Sequence, residues 1–171
     1  MKTLLISSLI TLSTISFAGE DHKDMPKPKV STEFESMKAL VGTWTGKTKM
    51  HGQEMDTTVS YKLTSAETVL VETINPGTPM EMVTMYASQP KGIKATHYCA
   101  LGNQPEMTLK KATGNTFTFE MVGNKGIADK NEMHMHAVTL TVEGNKLTQD
   151  WTNYNKNKKE GNHKFELTKK M

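Results

Sequence analysis

The sequence predicts an all-β fold, an up-and-down antiparallel β-barrel of about ten strands preceded by one short helix. Three observations carry this prediction. From Leu40 onward apolar and polar residues alternate with period two, the pattern of a half-buried strand. Turn-forming residues recur at short intervals, at His51-Gly52, Ser65-Ala66, Asn75-Pro76-Gly77, Pro90-Lys91-Gly92, Gly102-Asn103, Gly114-Asn115, Gly123-Asn124, Gly144-Asn145 and Gly161-Asn162. Helical spacing is confined to residues near 32–40. Short connections force antiparallel neighbours, and so many strands in one twisted sheet close on themselves to remove exposed edges. A two-sheet sandwich is the structural alternative.

Residues 1–18 read as an export signal. Lys2 supplies the positive start, Leu4 to Ile15 an apolar run softened by Ser and Thr, and Ser16-Phe17-Ala18 the small residues that a signal peptidase recognises. A periplasmic or secreted product is expected, with no cysteine near the cleavage point to carry a lipid. Residues 19–30 are charged and bear Pro26 and Pro28, a composition that suits a disordered linker. Residues 31–171 then fit one domain, since domains commonly run to ~100–150 residues. The formal charge is +3, of which Lys2 contributes one, and its even spread leaves no basic stripe for nucleic acid. No stretch after the signal approaches the ~20 apolar residues of an integral membrane segment. Cys99, the one cysteine, has no internal disulfide partner. A small-molecule ligand is the partner class that remains, and no cofactor follows from the sequence.

Thr32-Glu33-Phe34-Glu35 has the capping-box pattern, with apolar Phe34, Met37 and Val41 at helical spacing behind it. Strands are expected at roughly 40–50, 55–63, 68–74, 80–88, 93–101, 106–112, 116–122, 133–143, 146–154 and 163–169. Alternation assigns each a face. Trp44 and Thr48 share one, as do Thr57, Val59 and Tyr61; Ala95, His97, Cys99 and Leu101; Met107 and Leu109; Phe117, Phe119 and Met121; His134, His136, Val138 and Leu140; Leu147, Gln149 and Trp151; and His163, Phe165 and Leu167. Histidines therefore fall on apolar faces. Glu72, opposite Val69 and Val71, is either outward and solvated or an inward acid with a raised pKa.

Gly42-Thr43-Trp44, on the first strand after a short helix, resembles the Gly-x-Trp start of lipocalins and their calycin relatives, in which the Trp plugs one end of the barrel. The chain has no arginine to pack across Trp44 from the last strand and no Thr-Asp-Tyr turn motif; Lys169 and Lys170 are the nearest substitutes. The longer pattern joins Leu40-Val41-Gly42-Thr43-Trp44, Met82-Val83-Thr84-Met85-Tyr86, Thr96-His97-Tyr98-Cys99 through Gly102-Asn103-Gln104-Pro105, His134-Met135-His136 and Gln149-Asp150-Trp151. It resembles a family of exported bacterial proteins of unknown function, described as lipocalin-like or similar to the haem barrel nitrobindin. The resemblance implies a fold without a reaction. In nitrobindin the haem histidine starts the last strand, where this chain carries His163.

The site expected from these patterns is an interior pocket. His97, Cys99, Asn103, Gln104, Met107, His134, His136 and Trp151 are its candidate ligand-binding residues, Trp44 its structural plug, and the ligand a small, partly apolar molecule. His134-x-His136 on one strand face also offers two imidazoles to a metal, with His163 as a further candidate. The structural alternative is a set of hydrogen-bonded interior histidines. A Cu(I) site using Met133 and Met135 is disfavoured, because those thioethers leave the strand on the face opposite the histidines. Cys99 with His97 two residues away resembles an activated thiolate, against which stands the usual fate of a lone cysteine, burial. No catalytic constellation emerges. An enzyme acting on a small exported substrate, with a histidine as general base, is the third alternative.

Overall fold

The computed structural model describes Pro26, residues 28–50 and residues 53–171. The signal over 1–18, most of the linker and the His51-Gly52 turn lie outside the described residues.

Helix α1 (Thr32–Met37) continues into one 3₁₀ turn (Lys38–Leu40). Its cap is Ser31 rather than Thr32: Ser31 is extended (φ −71°, ψ 159°), and its hydroxyl accepts the Phe34 amide at 3.2 Å. Thr32 is already helical, so the Thr32–Glu35 capping box does not form. The buried face is Phe34, Met37 and Leu40.

Ten strands follow: β1 (Gly42–Met50), β2 (Gln53–Thr64), β3 (Val69–Ile74), β4 (Met82–Gln89), β5 (Gly92–Tyr98), β6 (Glu106–Thr113), β7 (Thr116–Met121), β8 (His134–Glu143), β9 (Lys146–Asn155) and β10 (Lys158–Lys169). They form a closed up-and-down barrel in chain order, with β1 pairing both β2 and β10, all antiparallel. Closure sets aside the sandwich. At the seam Gly46 is required by close approach, since a Cβ there would collide with the Glu166 carbonyl oxygen.

One predicted turn is misplaced. Gly161-Asn162 lies inside β10, at a register shift between Lys159 and Gly161, and the β9–β10 turn is Lys156-Asn157, both residues at positive φ. Glycine there marks a bulge in the strand, not its end.

The lower end carries the hairpins joining β2–β3, β4–β5, β6–β7 and β8–β9, and α1 closes it. Trp44 is fully buried and donates its indole N–H to the Leu40 carbonyl at 2.7 Å. Lys169 lies over the same ring. Its ammonium stands 5.2 Å from the centre of the Trp44 ring and donates to the Ala39 carbonyl at 3.2 Å. The upper end carries the longer connections, 75–81, 99–105 and 122–133. Among the described residues no helix is long and apolar enough to cross a membrane.

Candidate functional site

The barrel interior contains a polar belt in an apolar core. Tyr61 on β2 pairs in register with Glu72 on β3, Glu72 with Thr84 on β4, and Thr84 with His97 on β5, so four polar side chains enter the interior side by side. All four are buried, Glu72 completely. The Glu72 carboxyl accepts from Tyr61 Oη at 2.5 Å, Tyr86 Oη at 3.1 Å and, from the opposite wall, Gln149 Nε2 at 2.6 Å. The same amide also reaches Tyr61 Oη at 2.5 Å. Its oxygen accepts the Trp151 indole N–H at 3.0 Å, and the Trp151 ring stands 4.6 Å from the His97 ring. The network thus spans the barrel from β2–β5 to β9.

Burial pushes the Glu72 pKa up, because a dry interior disfavours the carboxylate; the donors around it work the other way. Tyr61 and Tyr86 are pushed well above the usual phenol range by burial and by Glu72 beside them. The Thr84 hydroxyl lies 2.9 Å from His97 Nδ1. Either ring tautomer satisfies this contact: the Thr84 hydroxyl donates to a bare Nδ1, or accepts from Nδ1–H, in which case Nε2 carries a lone pair. That Nε2 is buried with no partner. Asn153, two residues above Trp151 on the same face, gives its amide N–H to Glu160 at 2.8 Å, which leaves its buried Oδ1 without a partner too. Two buried polar atoms without partners therefore flank Trp151.

Burial lowers the His97 pKa to about 4. An unfolded histidine titrates near ~6.5, so the stability His97 contributes is complete above that value and is lost as pH falls from there to about 4. Glu72 has the opposite sign. Its folded pKa is raised, so its contribution is complete below the ordinary carboxyl value and is lost as pH rises through the folded one. Urea titrations at pH 7 and pH 4 should therefore show the native chain losing roughly 3 kcal/mol more than His97→Leu between those pH values. Equal losses would place His97 in a solvated position.

Of the sequence-predicted site residues, His97, Met107 and Trp151 point inward and are buried. His134, which is buried, and His136, half-buried, are not part of that interior. The β8–β9 register shifts between Met135 and Ala137, making His136 the extra residue of a bulge. Before it, His134 pairs with outward Tyr154 and Met135 with inward Asn153, so Met135 packs against the core. His136 stacks on Tyr154 with ring centres 3.9 Å apart, and exposed Glu120 acts on it electrostatically. Strict alternation fails because a bulge inserts one unpaired residue. His97 shares no pocket with the pair.

Asn103 and Gln104 line a groove of about 550 Å³ between loops 99–105 and 122–133, with Leu101, Ile127, Glu132 and Met133. Asn103 ties these loops together, donating to Glu132 Oε1 at 3.0 Å and to the Met133 carbonyl at 2.9 Å. Cys99 is half-buried just past β5, and burial raises its thiol pKa, which opposes thiolate formation.

His163 lies half-buried on the inward face of β10 opposite Trp151. A haem needs a slab of apolar space against its axial histidine. Inward of His163 and His97 that space is taken by Trp151, which is 2% exposed, so the residues present do not fit a haem. Among the described residues no three His, Cys, Asp or Glu side chains cluster as a metal site.

The sequence leaves Glu72 undecided and does not single out Tyr61, Tyr86 and Gln149 as a site around it. Residues 69–72 are apolar on both faces up to the acid, so period two carries no information there; Leu70 and Ile74, two residues either side of Glu72, are the pair that shares its face. The chain matches no protein-family model and no curated protein sequence.

Proposed function

We propose that the protein is an exported binding module: a calycin-like barrel that takes a small, partly apolar molecule bearing N–H or O–H donors into its upper interior. The observation that carries this reading is the pair of buried polar atoms without partners beside the Trp151 indole, Asn153 Oδ1, an acceptor, and His97 Nε2, an acceptor in the Nδ1–H tautomer. A buried acceptor left unmade costs ~1–3 kcal/mol, which a ligand donor recovers. Trp151 offers such a ligand an apolar plate, and Met82, Met121 and Met135 form unbranched, adaptable packing around the upper core. The resemblance to calycins is supported by the closed barrel, the Trp44 plug and Lys169 over its ring. Export rests on residues 1–18 alone. A general-base role is disfavoured, since a histidine held near pKa 4 is a weak base and the one hydroxyl bonded to it, that of Thr84, is fully buried.

Catechol and its donor-free analogue 1,2-dimethoxybenzene test the reading through tryptophan fluorescence. Catechol should give a saturable change, the dimethyl ether a binding constant at least tenfold weaker, and His97→Leu should remove the difference, as ~1.4 kcal/mol per lost bond requires. Equal binding of the two probes, or none by either, would count against donor recognition.

A further inference from the structure

We propose that the outer wall carries a divalent-cation site, built by the β8 bulge from His134 and His136 and suited to Zn²⁺ or Cu²⁺. The two facing ring nitrogens, His134 Nε2 and His136 Nδ1, are 3.3 Å apart. Two imidazole nitrogens at ~2.05 Å from one tetrahedral ion stand ~3.3 Å from each other, so the pair is already at ligand spacing. On a regular strand side chains two residues apart are ~7 Å apart; the bulge brings these together.

Both rings are held, His134 at 3% exposure and His136 half-buried, so an ion reaches the pair from the His136 side. His134 lies 2.8 Å through Nδ1 from the Glu132 carbonyl, which as an acceptor fixes the proton on that nitrogen and leaves the Nε2 lone pair facing His136. His136 is clamped by its stack on Tyr154, with the rings 13° from parallel. Without a metal, the Nδ1–H of His136 donates to His134 Nε2. On binding, that proton moves through solvent to His136 Nε2, so both imidazoles stay neutral, both lone pairs face the ion and no net proton is released. Two protein donors are what the cluster supplies, with water completing the shell, and the exposed Glu120 carboxylate adds attraction for a cation. Imidazole donors suit Zn²⁺ and Cu²⁺ over Mg²⁺ or Ca²⁺, and Cu²⁺ should bind the tighter. The site is separate from the interior and does not depend on the binding function proposed above.

The full mature chain, titrated with Zn²⁺ against a chromophoric chelator, should show one saturable site. His136→Ala, at a half-exposed position where the fold survives, should weaken it at least tenfold, with far-UV circular dichroism confirming an intact barrel. His163→Ala, His22→Ala and His51→Ala should leave it unchanged. Copper electron paramagnetic resonance gives an independent reading: two-nitrogen hyperfine coupling in the native chain and one in His136→Ala. Absence of saturable Zn²⁺ binding, unchanged affinity in His136→Ala, or a copper spectrum that this substitution does not alter would overturn the proposal.

Discussion

Trp44→Ala is expected to destabilise the protein by ~3–5 kcal/mol, the usual cost of truncating a buried aromatic. The ring is fully buried at the closed end of the barrel, between the helix residues Phe34, Met37 and Leu40 and the first strand. Three losses coincide. The cavity is large, the indole bond to Leu40 disappears, and the Lys169 ammonium loses the π face beneath it. A domain's total stability is only ~5–15 kcal/mol, so urea midpoints should fall by a large fraction of the native value. A Trp44→Phe variant should recover most of the packing while lacking the hydrogen bond, and so separates the terms. Native-like stability in Trp44→Ala would mean that α1 docks without the plug.

The second large effect is at the centre of the belt. Glu72→Ala strands the Tyr61 and Tyr86 hydroxyls and the Gln149 amide, three buried donors that lose one shared acceptor. Each stranded group costs ~1–3 kcal/mol, against which the variant is relieved of burying an acid. A net loss of about 3 kcal/mol is expected at pH 7, falling to about half that in Glu72→Gln, which keeps one acceptor oxygen. Chemical denaturation of the two variants provides the check. An alanine variant as stable as the native chain would show that the desolvation cost of the carboxyl equals the worth of all three bonds.

The two effects differ in how readily the sequence announces them. Trp44 stands out because Gly42-Thr43-Trp44 follows a helix pattern and opens an alternating strand. Glu72 does not, because residues 69–71 before it are apolar on both faces and its partners come from β2, β4 and, across the barrel, β9. Local pattern identifies which residues face inward; it does not say which inward residues meet.

The sequence by itself determined the strand count, the antiparallel order, the single helix and the inward set Trp44, Tyr61, His97, Phe119, Gln149 and Trp151, since each follows from a local period and from short connections. Tertiary structure alone decided the rest. It set the cap at Ser31, where backbone dihedrals choose the last extended residue. It turned Gly161 into a bulge and Lys156-Asn157 into the turn. Above all it moved His134 and His136 to the outer wall, because one unpaired residue in β8 reverses the parity of everything before it. A bulge is a property of two paired strands, visible only when both are in place, and for that reason the histidines that alternation grouped with His97 sit instead beside Tyr154 and Glu120.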